Sequence, residues 1–147
     1  MAIQAWIIHS TGRIFSCMKV QQLFQALLDC LGTNLGGLDA MFAPDAIVEF
    51  PYAPAAGLVG RVDGRDAIVR HFRGVMETIG FQSFRFSNLR AYPGADPGAA
   101  WFEVHGTADL PGGKHYAQDY VIFVRAAEGR IAHYREYWNM VPILELR

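Results

Sequence analysis

Near the end of this 147-residue chain, the run from Gly129 to Asn139 sets one carboxylate, Glu136, between Tyr134 and Trp138. In an extended strand alternate residues share a face. Tyr134, Glu136 and Trp138 therefore point one way, and His133, Arg135, Tyr137 and Asn139 the other. A carboxyl held between two aromatic side chains loses hydration, which disfavours its charged form and raises its pKa. That suits a general acid or base near neutral pH. The bland alternative is a solvated strand Glu paired with a neighbouring Arg or Lys. A second titratable candidate is His71, three residues after Ile68 and four before Val75, on the apolar stripe of a helix. A His there is ordinarily a core side chain. In a pocket shared with Glu136, one of the two can donate a proton as the other accepts.

The elements that position these residues follow from apolar spacing. Val20, Leu23, Phe24, Leu27, Leu28 and Leu31 form a helical stripe, with Gly32 as a C-terminal stop. Asn34 caps a second, short helix carrying Leu35, Leu38, Met41 and Phe42, ended by Pro44. Ala46 to Tyr52 reads as a strand, with Pro51 marking an edge or a bulge. A loop rich in Pro, Ala and Gly runs from Ala53 to Gly60. A third helix starts near Asp63, a good cap, and ends at Ile79 before Gly80. Four long strands follow: Phe81 to Tyr92, Ala99 to Leu110, Lys114 to Arg125 and Arg130 to Val141. The Pro-Gly and Gly-Gly pairs between them are hairpin signals. Helices followed by an antiparallel meander give an α+β layer. Stretches such as Tyr120 to Val124 are apolar on both faces, so the face turned away from the helices needs cover. A second copy is the simplest cover, and a homodimer through the sheet is expected.

Bulk properties exclude several classes. Hydrophobic residues make up 52% and charged residues 18%, a globular balance and the opposite of disorder. Net charge is -1, with no dense basic patch, so no nucleic-acid partner is expected. No apolar run approaches the length of a membrane helix, and Met1 to Cys17 makes a poor signal peptide. Cys17 and Cys30 form no disulfide framework and read as reduced cysteines of a cytosolic protein. His9, His71, His105, His115 and His133 have no metal-ligand spacing. No Gly-rich phosphate loop and no Ser or Cys nucleophile motif is present. Chemistry without metal or cofactor is the default. Residues 1–17 read as an N-terminal extension and 18–147 as a single domain.

Several motifs carry a resemblance. Met41 to Glu49, Gly64-Arg65-Asp66-Ala67-Ile68, and Glu128-Gly129-Arg130-Ile131 followed by Glu136-Tyr137-Trp138 resemble, in order and spacing, the nuclear transport factor 2-like superfamily. That superfamily includes ketosteroid isomerase and the SnoaL-like polyketide cyclases. The resemblance implies a cone-shaped, strongly curved, mainly antiparallel sheet packed on about three N-terminal helices, with a cavity inside as the ligand site. The nearest match is the phenazine-biosynthesis A/B group, through Gly64 to His71, Trp101 to Gly106, Tyr116 to Tyr120 and Arg135 to Asn139. Its helix His and strand Glu assist condensation of a ketone with an amine, which implies those roles for His71 and Glu136. A Ser implicated in that group falls on Val75 here. Ketosteroid isomerase has its catalytic Asp after a Val-Glu pair; here Val48-Glu49 is followed by Phe50, so that base is missing. Its oxyanion-hole Asp matches Asp119 if the following hairpin is two residues longer. Counted without that gap, the pocket-facing position falls on Gln118 or Asp119, and a shift of one residue changes the face.

The resemblance thus implies a cofactor-independent enzyme for a small carbonyl-bearing apolar or aromatic molecule. Glu136 and His71 would be catalytic, and Gln118 or Asp119 would bind a substrate carbonyl. Phe50, Tyr52, Phe72, Val75, Phe102, Tyr120, Tyr134 and Trp138 would be pocket walls or core. Glu103 and His105 share a strand face that reads as the outer one. The competing class is a non-catalytic dimeric binder of small hydrophobic ligands, in which Glu136 would pair with an Arg.

Overall fold

The computed structural model describes residues 19–145. Residues 1–17, expected to form an N-terminal extension and containing His9 and Cys17, lie outside them. Helix α1 occupies residues 19–33 and buries Val20, Phe24, Leu27 and Leu28, the expected stripe. Gly32 does not stop this helix. A Cβ there would sit 2.9 Å from the Phe84 carbonyl oxygen, so glycine lets the helix approach the sheet closely. Asn34 caps as expected, its side chain accepting from the Gly36 N–H at 2.9 Å. The segment it caps splits into a 3-10 turn, Leu35–Gly37, and a four-residue α2, Leu38–Met41.

Strand β1 spans Phe42–Glu49, four residues earlier than the spacing predicts at its start and three at its end. It contains Pro44, because its pairing with the last strand is irregular between Phe42 and Ile47 and a missing N–H is tolerated there. Pro51 lies in the turn beyond. A three-residue strand β2, Arg61–Asp63, is too short to leave a sequence signal. Asp63 belongs to it, and its carboxylate binds Arg61 in place of capping a helix. Helix α3, Arg65–Ile79, starts at Gly64 without a side-chain cap and ends at Gly80 in the left-handed conformation.

The meander comprises β3 (Gln82–Pro93), β4 (Ala99–Leu110), β5 (Lys114–Ala127) and β6 (Arg130–Trp138). The β5–β6 turn is the two residues Glu128 and Gly129, both at positive φ, as a right-twisting hairpin demands. The sheet order is β2-β1-β6-β5-β4-β3. All neighbours are antiparallel except β1 and β6, which are parallel. Register shifts in β3, with Ser83 and Asn88 at positive φ, are bulges that bend the sheet. It curves into the cone expected but does not close. The chain ends in α4, Met140–Leu144, where a strand to Val141 was expected. Asn139 caps it by accepting from the Val141 N–H at 3.1 Å. The core lies between α1, α3 and the inner sheet face, with Phe24 stacked on Phe102 at 4.4 Å between ring centroids.

Candidate active site

Along β6 the alternation places Tyr134, Glu136 and Trp138 on the inner face. Tyr134 is fully buried, and all three line a pocket of about 500 Å³. Glu136 faces Ile122 across the β5–β6 ladder. Its Oε2 accepts a hydrogen bond from the Tyr134 hydroxyl. Its Oε1 has no protein partner among the described residues. No buried polar side-chain atom there is left unpartnered, so Oε1 meets the pocket space. Burial drives the pKa of Glu136 up to about 7, and the Tyr134 hydrogen bond only partly offsets this. The carboxyl is thus poised near neutral pH, as a general acid or base requires.

His71 lines the same pocket from α3. Its ring lies 5.2 Å from that of Phe50 and 6.1 Å from that of Phe72. Burial lowers its pKa, so the ring is neutral at neutral pH. Neither ring nitrogen has a protein partner among the described residues. His71 does not hydrogen-bond Glu136; Phe72 touches both His71 and Tyr134, at 6.1 and 6.0 Å.

Phe50, Phe72, Val75 and Tyr120 also line the pocket, with Val75 exposed at its rim. The other expected residues fall elsewhere. Asp119 points to the outer face, its side chain 90% exposed and bonded to His105 Nδ1 at 2.7 Å; β5 turns its even-numbered residues inward, so Asp119 cannot reach a ligand in the pocket. Gln118 is the inward residue and is buried, but its amide is engaged by the Asn139 peptide. Nε2 donates to the Asn139 carbonyl at 2.6 Å, and Oε1 accepts from the Asn139 N–H at 3.1 Å. Tyr52 is exposed, packed edge-on against Tyr137, because the turn after β1 carries it past the inner face. Phe102 is core, covered by α1 before it can reach the pocket.

Sequence reasoning missed Tyr116. It is buried, lines the pocket and sets its hydroxyl 2.8 Å from that of Tyr120. Burial pushes the Tyr116 phenol up to about 12 and that of Tyr120 well above its ordinary value, and the nearby Glu136 adds to both. The signal was available: assigning Gln118 inward places Tyr116 and Tyr120 inward by parity. Arg70 lines the same pocket, but among the described residues no arginine forms an ion pair with Glu136, and none contributes to its shift. Arg135 and Arg61 reach Glu49, whose Oε2 also contacts His133 Nε2 at 2.6 Å. These partners, His133 foremost, hold Glu49 below its ordinary pKa.

The profile of the SnoaL-like domain matches residues 20–134. The chain belongs to the SnoaL-like family. An uncharacterised PhzA/B-like protein of Pseudomonas aeruginosa is 40% identical over 107 residues, covering 71% of this chain and 72% of that protein. Among solved structures, a phenazine biosynthesis-related protein of Pseudomonas aeruginosa superposes with a TM-score of 0.73 at 18% identity, over 90% of this chain and 83% of that one. The Δ5-3-ketosteroid isomerase of a Mycobacterium species does so with a TM-score of 0.66 at 24% identity, over 83% and 94%. At these identities the structures establish the shared fold. Among the described residues of this SnoaL-like chain no helix is long and apolar enough to cross a membrane, and no group of three or more His, Cys, Asp and Glu side chains is placed to hold a metal.

Proposed function

We propose that this chain is a cofactor-independent acid–base enzyme. Its substrate is a small, carbonyl-bearing, apolar or aromatic metabolite, and its reaction an isomerisation, cyclisation, dehydration or condensation of the kind the PhzA/B-like name suggests. One observation carries this reading. Glu136 holds one oxygen on Tyr134 and turns the other into an aromatic-lined pocket, with no ion pair among the described residues to keep it ionised. A buried carboxyl of raised pKa facing ligand space suits an acid–base catalyst working near neutral pH. His71, neutral and without a hydrogen-bond partner among the described residues, is the second proton carrier. The pocket volume suits a ligand of two or three fused rings.

The test is hydrogen–deuterium exchange at the carbons flanking the carbonyl of 2-tetralone and 1-indanone in D2O, followed by proton NMR. The wild-type chain should accelerate exchange and Glu136→Gln should not. If no ketone exchanges faster than in buffer, the chain is a ligand binder. We further propose a homodimer through the outer sheet face. Trp101 packs there on Phe123 and Tyr137, at 5.2 and 6.2 Å between ring centroids, and Trp101 and Val121 are exposed in a single chain.

A further inference from the structure

We propose that the ligand is longer than the pocket that holds Glu136: its chain passes Met76 into a second cavity and ends there in a hydrogen-bond donor, an amine or a hydroxyl. The inference rests on the first pocket being a ligand site, as the acid–base reading has it, and extends the substrate class to a ring system carrying a donor-ended chain. A cavity of about 310 Å³ adjoins the first, between the last turns of α1 and α3 and the start of β3. Leu31, Met76, Phe81 and Phe84 line both, so single side chains divide the two spaces. Phe81 and Phe84 are held by ring contacts. Phe84 meets Phe81 at 4.8 Å and Phe86 at 4.7 Å between ring centroids, and Phe81 meets Tyr116 at 5.0 Å. The Phe84 carbonyl is also packed against α1 at Gly32. Met76 is partly buried and has no such hold. An unbranched thioether with three rotatable bonds adapts to irregular gaps, so Met76 can swing aside without backbone movement.

The second cavity has a different chemistry from the first. Thr33, Ser83 and Glu77 bring hydroxyls and a carboxylate to its lining. The Thr33 hydroxyl donates to the Asp29 carbonyl at 2.7 Å, which leaves its oxygen as an acceptor. The Glu77 carboxylate and the Ser83 hydroxyl make no hydrogen bond or ion pair among the described residues. Arg73, one turn before Glu77 on α3, is engaged by Asp39 at 3.3 Å and by the Leu35 carbonyl at 3.4 Å. The lining thus offers acceptors and one negative charge, which favour a donor and disfavour an anion. The backbone serves the same end. Ser83 stands at φ 52°, where the β3–β4 register slips between Gln82 and Arg85. Successive residues of a regular strand take opposite faces; this bulge re-aims them, so that Ser83 and Phe84 line the same cavity.

Equilibrium dialysis at neutral pH tests this with naphthalene and with three 2-hexylnaphthalenes whose chains end in an amine, a hydroxyl or a carboxylate. In the wild-type chain the amine and hydroxyl probes should bind about tenfold or more tighter than naphthalene, because the chain is buried, and the carboxylate probe should bind less tightly than either. Thr33→Phe fills the second cavity alone. It should bring the chained probes to within about threefold of naphthalene and leave naphthalene itself within about twofold of wild type. Glu77→Lys should weaken the amine probe by up to about fivefold and reverse the order of amine and carboxylate. Met76→Ile puts a stiff β-branched side chain at the partition and should shrink the gain from the chain by about threefold. Three results overturn the proposal: a chain that adds nothing in wild type; a gain that survives Thr33→Phe, which sends the chain out by another route; or an amine–carboxylate order that Glu77→Lys does not move. If naphthalene does not bind either, the first pocket falls as a ligand site and the proposal with it. Ketone exchange reads Glu136 independently of the chain, so the loss of one reading is distinguishable from the loss of the other.

Discussion

Glu136→Gln should make the protein more stable, and only above mildly acidic pH. The carboxyl titrates near its ordinary 4.5 in the unfolded chain and at about 7 in the folded one. Below 4.5 both states hold the proton and the residue contributes nothing. Between these values the unfolded chain releases its proton while the folded chain keeps it, so folding loses about 1.4 kcal/mol per pH unit. Above 7 both are ionised and the loss levels off at about 3 kcal/mol. Glutamine has the same shape, accepts from Tyr134 through its oxygen and leaves its amide facing the pocket, so it removes the charge without a new unpaired group. Paired urea unfolding at pH 4.5, 6 and 8.5 measures this. The variant should match wild type at pH 4.5 and exceed it by up to about 3 kcal/mol at pH 8.5, roughly 10 °C in Tm for a chain of this size. Comparing the two proteins at each pH cancels the other titrating groups. Equal stability of the two at every pH, or a wild type that gains on the variant as pH rises, would refute the burial argument.

His71 carries the opposite sign. Its folded pKa is depressed, so its contribution is intact above 6.5 and is lost as pH falls through the folded value; His71→Leu should flatten the acid limb of Tm against pH, and an unchanged limb counts against burial. In Gly106→Ala the new Cβ would lie 3.0 Å from Tyr120 Cε2 and 3.2 Å from Phe84 Cε1, an overpacking that should cost about 1–3 kcal/mol by thermal melting. Phe102→Ala should cost about 3–5 kcal/mol, because it opens the Phe24 stack, while a stabilised folded fraction keeps its naphthalene affinity; a pocket wall would lose both. Trp101→Glu should convert a dimer to a monomer in light scattering, and an unaltered mass would place any interface elsewhere.

The long strands, α1 and α3 were legible because each repeats its apolar period over two or more turns or several alternations. The short pieces were not. Arg61–Asp63 and Met140–Leu144 are too brief to show a period, and their form is decided by partners far along the chain: β1 for the first, the capping Asn139 and the Gln118 clamp for the second. The inward triad of β6 was legible from parity alone, since Tyr134, Glu136 and Trp138 alternate without a bulge. The choice between Gln118 and Asp119 stayed open because it hung on an uncertain hairpin length. Parity from the apolar Ile122 and Val124, both buried, would have turned Gln118 inward and revealed Tyr116. Tyr52 and Phe102 show the other limit. Strand parity tells which face a residue takes, but not whether a turn carries it away or a helix covers it.

Two glutamates on neighbouring strands show how the fold separates structural from chemical carboxyls. Glu49 lies beside Arg135 across the β1–β6 pairing, on the outer face, where Arg135, Arg61 and His133 converge on it and its pKa falls. Glu136 is the next residue along β6 after Arg135. One step of the pleat turns it to the other side of the sheet, away from those cations and into aromatic surroundings, and its pKa rises. Each carboxyl follows from its face, since burial without a partner penalises charge and pairing restores it. The cost that Glu136 imposes above pH 7 is one that a single substitution would remove. A glutamine there would keep the shape, keep the Tyr134 hydrogen bond and remove the penalty. The grouping of this carboxyl with His71, unpartnered among the described residues, and with the Tyr116–Tyr120 pair is what supports the proposed acid–base reading.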